Sequence, residues 1–194
     1  MPLDAMDERS DEELLALYAA GDAAAARALT LRLVPGVFAH ASRLLSDATE
    51  AEDVAQEAML KLWRIAPDWR AGEARITTWL YRVTANLCID RIRRRRGSPL
   101  DDAPEVADEA PSAEARMLSG DRAAALHAAL ADLPERQRQA VVLRHLEGLG
   151  NPEIARIMDI GPRAVESLVA RGKRALEERL LGRRADLGYT DDRS

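Results

Sequence analysis

Residues 151–176 read NPEIARIMDIGPRAVESLVARGKRAL, and the spacing of their apolar side chains decides the fold. Asn151 stands as a helix cap with Pro152 at the first helical position, where a missing N–H removes no bond. Ile154, Ala155, Ile157 and Met158 form the buried side of a short helix, with small Ala155 where two crossing helices must approach. Asp159 takes a turn position that needs a left-handed backbone, which aspartate tolerates because its short polar side chain can bond locally. In the helix that follows, Val165, Leu168, Val169, Gly172 and Leu176 share the inward face. Arg163, Ser167, Ala170 and Arg174 point outward, flanked by Glu166 and Arg171. The pattern predicts a helix-turn-helix whose basic outer face fits a DNA major groove about 12 Å wide. Arginine there takes guanine edges or phosphates, and Glu166 either accepts from cytosine or is a solvated surface residue. Helical hairpins that bind nothing share this spacing.

Upstream, LPERQRQAVVLRHLEGLG reads as a supporting helix with Val141, Val142 and Leu146 in the core. His145 has no second histidine or acid at metal spacing and reads as a surface or packing residue. In the first half, EAEDVAQEAMLKLWRIAPDW places Ala51, Val54, Ala55, Ala58 and Leu62 on one stripe. Its opposite side presents Asp53, Gln56, Glu57, Leu60 and Arg64. Exposed acids interrupted by an exposed leucine suggest a docking face for a protein, with a plain solvated face as the alternative. After RAGEAR comes ITTWLYRVTANLCIDRIRRRR, with Ile76, Leu80, Val83 and Leu87 inward. Thr78, Arg82, Asn86, Ile89, Arg93 and Arg96 lie along a separate stripe.

Charge comes in blocks within a chain of 194 residues and net charge -5. Residues 1–60 carry 4 basic and 12 acidic groups, and residues 61–96 carry 10 and 3. Residues 97–121 return to 1 and 7, and residues 122–194 hold 13 and 11. A compact basic surface between acidic segments is the footprint of a nucleic-acid binder whose free affinity is held down, or else a solvated arginine-rich helix end. Residues 97–115 have three prolines before Ser112 and almost no large apolar side chain, so the segment 97–121 reads as a flexible acidic linker. On both sides alanine and leucine recur at helical spacing and alternating patterns are scarce. The fold class is therefore all-α, with two small helical domains at 1–96 and 122–182, the linker at 97–121 and a tail at 183–194.

Composition also excludes. One cysteine, Cys88, permits no internal disulfide and no thiol metal cluster, which fits a reducing compartment, and Cys88 reads as core. The acidic N-terminus is no signal peptide and no apolar run approaches membrane length, so the expected location is cytoplasmic with no membrane contact. His40, His127 and His145 form no metal site, and no nucleophile elbow, phosphate loop or paired carboxylates are found. No cofactor and no enzymatic activity are expected. A stand-alone helix-turn-helix regulator would account for residues 133–176 but leaves the first half without a task.

EAEDVAQEAMLKLW followed by TTWLYRVTANLCIDRIRRRR, an acidic linker and LPERQRQAVVLRHLEGLGNPEIARIM resembles an extracytoplasmic-function (ECF) RNA polymerase sigma factor of the sigma-70 family, over roughly residues 12–182. The resemblance implies sigma region 2 in the first half and region 4 in the second. It implies that Asp53, Gln56, Glu57, Leu60 and Arg64 dock on core RNA polymerase. It implies that the promoter's -10 element meets Trp69, Arg70, Arg75, Thr78 and Arg82, continuing along Asn86, Arg93, Arg94 and Arg96. Trp79 reads as a core anchor, and Trp69 as either an anchor or a base platform. The -35 duplex would be read by Arg163, Glu166, Ser167, Arg171, Lys173 and Arg174. Partners implied are core RNA polymerase, promoter DNA and an anti-sigma factor. Where the family commonly has threonine, lysine and arginine, this chain has Ala164, Glu166 and Leu168, so no -35 sequence carries over.

Overall fold

A computed structural model describes residues 9–70, 72, 75–97 and 123–181. The expected linker from 98 onward, the tail at 183–194 and the Arg96 side chain lie outside the described residues. The chain opens with α1 (Asp11–Ala19), where Ser10 Oγ accepts from the Glu13 amide and Glu13 returns the bond to the Ser10 amide. Helix α2 (Ala23–Leu45) starts on Asp22, whose carboxylate accepts from Ala24 and Ala25, and stops at Ser46 with a left-handed φ of 56°. Helix α3 (Ala48–Ile65) is capped by Asp47 and runs into a 3₁₀ turn (Ala66–Asp68), and α4 (Ile76–Gly97) closes the first half. Leu14, Leu29, Leu33, Leu62, Ile76 and Leu80 are buried together where these helices meet.

The second half consists of α5 (123–131), α6 (Glu135–Val141), α7 (Asn151–Met158) and α8 (Pro162–Leu181). Helix α6 widens into a π turn (Val142–Leu146), marked by the bond from the Glu147 amide to the Val142 carbonyl at 3.0 Å. Gly148, at φ 70°, then ends it with the Leu149 amide reaching back to the Leu143 carbonyl. Leu143, Ile154, Ile157, Met158 and Val165 form the core of this half. Val141 and Val142 are buried as expected, while Leu146 is half-buried and Leu143, absent from the sequence reading, is fully covered.

Between α7 and α8 the local reading holds in its main feature. Asp159 adopts φ 52° and ψ 53°, the left-handed turn assigned to it, and Ile154, Ala155, Ile157 and Met158 are buried. The cap differs by one residue: Gly150 is the N-cap and Asn151 is already helical, because Glu153 folds back to accept from the Gly150 amide at 3.1 Å. A glutamate at this position caps through the backbone N–H, so no side chain is needed at the cap itself.

The two halves share an apolar cluster. Ala41, Leu44, Ala85 and Cys88 of the first half pack with Leu130 and Val142 of the second. Arg138, 7% exposed, crosses the same boundary and donates to the Leu44 carbonyl near the C-terminal end of α2 and to the Ala131 carbonyl. A guanidinium there satisfies carbonyls that the helix end leaves open and suits the negative end of the helix dipole.

Gly172 marks the tightest helix crossing. A Cβ placed on it would lie 2.6 Å from Val141 Cγ2 and 3.1 Å from the Gln137 carbonyl oxygen. Gly172→Ala is expected to lower stability by about 1–3 kcal/mol in urea unfolding, although alanine is intrinsically the better helix former by about 1 kcal/mol. A stabilised variant would show that α6 and α8 stand farther apart.

Candidate nucleic-acid interfaces and docking face

The outer side of α3 is built as its spacing implies. Ala51, Val54, Ala55, Ala58 and Leu62 are buried, joined by Met59, and Asp53, Gln56, Leu60 and Arg64 are exposed. Glu57 is half-buried, with Lys61 at 3.4 Å and Arg91 at 3.7 Å. Leu60, 54% exposed, borders a groove of about 580 Å³ between α2 and α3, floored by Val34, Phe38, Met59 and Trp63. The α2 contribution was not read from the sequence. LTLRLVPGVF is apolar on several faces at once, so no wheel separates its buried stripe from Leu31, which stands 63% exposed.

On α4, Arg82, Asn86, Arg93 and Arg94 are exposed, as is Arg75 just before the helix. Thr78 is not: it is 7% exposed and leaves the set of DNA-facing candidates. The cause is burial on two sides. α4 packs on α2 and α3 and also on α7, so its covered arc runs from Ile76 through Thr84 to Ala85 and takes in Thr78 at its edge. Val83 and Leu87 are correspondingly half-buried.

The arginine run divides in two. Arg95 turns back onto the α3 N-terminus, 3.0 Å from Asp47 and 2.7 Å from Glu50, while Arg93 and Arg94 face solvent. Trp79 packs half-buried against the core, and Trp69 meets it edge-on with ring centroids 6.1 Å apart. Trp69 is half-buried, so part of its ring stays accessible, while its indole nitrogen is buried without a hydrogen-bond partner. Arg70 is exposed at the same turn.

On α8, all six residues read from the sequence are exposed: Arg163, Glu166, Ser167, Arg171, Lys173 and Arg174. Arg171 and Arg174 donate to the Ser167 and Ala170 carbonyls of their own helix, which leaves the remaining guanidinium donors outward. Lys173 lies 3.6 Å from Glu177. Val165 and Gly172 are buried and Leu168, Val169 and Leu176 half-buried, so the basic face stands opposite the packed one.

Among the described residues no group of three or more His, Cys, Asp or Glu side chains could hold a metal ion. Among the same residues no helix is long and apolar enough to cross a membrane.

Comparison with known proteins places these faces in context. Residues 29–98 match the family model of Sigma-70 region 2, and residues 123–176 match that of Sigma-70, region 4. The ECF RNA polymerase sigma factor SigM of Mycobacterium tuberculosis is 36% identical over 90% of this chain and 86% of that protein. The RNA polymerase sigma-H factor of Pseudomonas aeruginosa is 31% identical over 90% of this chain and 96% of that protein. In fold, the chain is similar to CnrH, solved with the cytosolic domain of CnrY, at a TM-score of 0.67 and 24% identity over 90% of this chain and 99% of that one. It is also similar to the sigma factor RpoE of Bartonella quintana, solved with the anti-sigma factor NepR, at a TM-score of 0.62 and 23% identity over 78% and 94% of the two chains.

Burial pushes the Cys88 thiol from 9.0 up to about 12, with the Glu50 carboxylate adding to the rise and Arg91 and Arg138 opposing it. Because the folded value lies above the unfolded one, this contribution to stability is complete below pH 9 and is lost as pH rises toward 12. In the native protein at pH 8 Cys88 is expected to react with a thiol reagent at least about a hundredfold more slowly than in urea, since access needs local opening. Equal rates would place the thiol at the surface.

Proposed function

This chain belongs to the sigma-70 family as an ECF RNA polymerase sigma factor carrying regions 2 and 4, and we propose how its faces divide the work of starting transcription at a promoter. The domain bounds proposed are 1–96 for region 2 and 122–182 for region 4. Asp53, Gln56, Glu57, Leu60 and Arg64 dock on core RNA polymerase, and the apolar groove beside Leu60 supports that role because it offers an unfilled hydrophobic seat ringed by polar side chains. Trp69, Arg70, Arg75, Arg82, Asn86, Arg93, Arg94 and Arg96 serve the -10 element. Exposed cations along one helix hold backbone phosphates whatever the sequence, and the unpaired strand lies along them.

The observation that carries the reading is the α8 face, where Arg163, Ser167, Arg171 and Arg174 stand exposed above a turn held by the left-handed Asp159. That face enters the -35 major groove, with arginine on guanine edges or phosphates. The protein works in the cytoplasm beside the polymerase, catalyses no reaction of its own and is held by an anti-sigma factor until needed. The fold relative solved with the anti-sigma factor NepR supports the last point.

Run-off transcription with purified core polymerase on a genomic fragment library is the test. New, discrete start sites are expected when the protein is added, and identical starts with and without it would refute the function. Leu60→Asp is expected to weaken core binding by at least about tenfold, as loss of a central apolar anchor does. Arg171→Ala with Arg174→Ala is expected to leave core binding intact and reduce initiation by about tenfold or more, the cost of lost groove contacts.

A further inference from the structure

The second half carries an apolar hollow between α5, the π turn and α8. It measures about 200 Å³ and is walled by Leu126 and Leu130 of α5, Val141 and Leu146 around the π turn, and Leu176 and Leu180 of α8. Leu130 and Val141 are buried, whereas the other four are half-buried and keep an apolar side toward solvent. Lys173 and Glu177 stand at the rim, 3.6 Å apart, beside exposed His145. Clefts that enclose a whole small ligand run to roughly 300–1,000 Å³, so this one suits individual side chains.

The chain itself continues from the edge of the hollow. Leu180 lines it, Leu181 follows at 60% exposed, and residues 182–194 read GRRADLGYTDDRS. Gly182 is the residue type that lets a chain reverse after a helix, because glycine takes the left-handed conformation without steric cost. Leu187 and Tyr189 are the only large apolar side chains of the segment. From Leu181 to Leu187 an extended chain spans up to about 20 Å. The α8 wall from Lys173 to Leu180 is only about 10 Å long, so the return is made with slack. Charge order agrees with a reversal. Along α8 the exposed cations Lys173 and Arg174 come first and the exposed acids Glu177 and Glu178 after them. The segment has Arg183 and Arg184 first, then Asp186, Asp191 and Asp192 ahead of Arg193. Doubling back antiparallel to α8 sets its leading arginines by the glutamates and its later aspartates by the cations. Exposed pairs of this kind add little strength, but they fix direction and register.

We propose that in the free protein residues 182–194 fold back along α8 and seat Leu187 and Tyr189 in this hollow, so that the second half covers its own apolar face. The seat does not rest on the DNA or polymerase assignments of the other faces. Two seated side chains must offset the ordering of a short segment, so the contact is reversible and its effects are modest.

The test uses the full chain with the photoreactive p-benzoylphenylalanine in place of Tyr189, irradiated at low micromolar concentration. The expected product is a link within one chain from position 189 to Leu126, Leu130, Leu146 or Leu176, mapped by mass spectrometry on the monomer band. A link between two chains makes a second copy the occupant, a link confined to the first half places the segment elsewhere, and no link leaves the hollow without it; each of these overturns the proposal. In parallel, Leu187→Asp with Tyr189→Asp is expected to speed amide exchange at residues 176–180 about three- to tenfold, because the last turns of α8 lose their cover. Exchange at the core residues Ile154 and Val165 is expected to stay as it is, which shows that the domain remains folded. Arg183→Glu with Arg184→Glu is expected to shift exchange in the same direction, by less as salt is raised. Unchanged exchange at 176–180 in the double aspartate variant overturns the seat.

Discussion

Helix α4 is buried on two sides, and the rest of the molecule is arranged around that constraint. One flank, through Ile76 and Leu80, completes the core of the first half. Another, through Ala85 and Cys88, joins the apolar cluster shared with the second half. Between these flanks Arg82, Asn86 and Arg93 form one exposed polar strip, while Arg94 and Arg95 stand off it at the helix end. A helix with a single packed side would have let the halves part without loss. Because α4 has two, its basic strip is created and bounded by the same packing that faces it with Glu135 and Asp159.

The legible parts of the chain were those whose cause is local. Asp159 could be assigned a left-handed turn because it stands between the two apolar patterns at a turn position often held by glycine, which a short polar side chain tolerates, and its φ of 52° agrees. Gly172 could be placed inward by the wheel alone, and its contacts with Val141 and Gln137 give the physical reason. The exposed faces of α3 and α8 followed from their opposite apolar stripes. What stayed hidden depended on residues distant in sequence. Thr78 looked solvent-facing because the wheel of α4 shows one packed side where the fold packs it on α2, α3 and α7. His40 carried no signal, since its partner Glu147 is set by the fold alone. Leu31 and Phe38 lie in a helix apolar enough to conceal which side is covered.

The arginine run shows why block charge is a coarse guide. Summed over residues, it is a patch of one sign. In the structure Arg95 is taken up by Asp47 and Glu50, while Arg93 and Arg94 remain for solvent or phosphate. Asp47 also caps α3, accepting from the Glu50 amide at 2.9 Å. Arg95 thereby ties the last turns of α4 to the start of α3, next to the neighbouring arginines.

The widened turn at Val142–Leu146 carries a consequence for how this architecture varies. A bond spanning five residues accommodates one residue more per turn than an ordinary helix does. Excising a single residue there would restore regular winding and swing the position of Glu147 by about 100° around the axis, away from Arg43 and Tyr81. One codon lost at this spot is therefore enough to part Glu147 from Arg43 and Tyr81, with the helix-turn-helix that follows left whole.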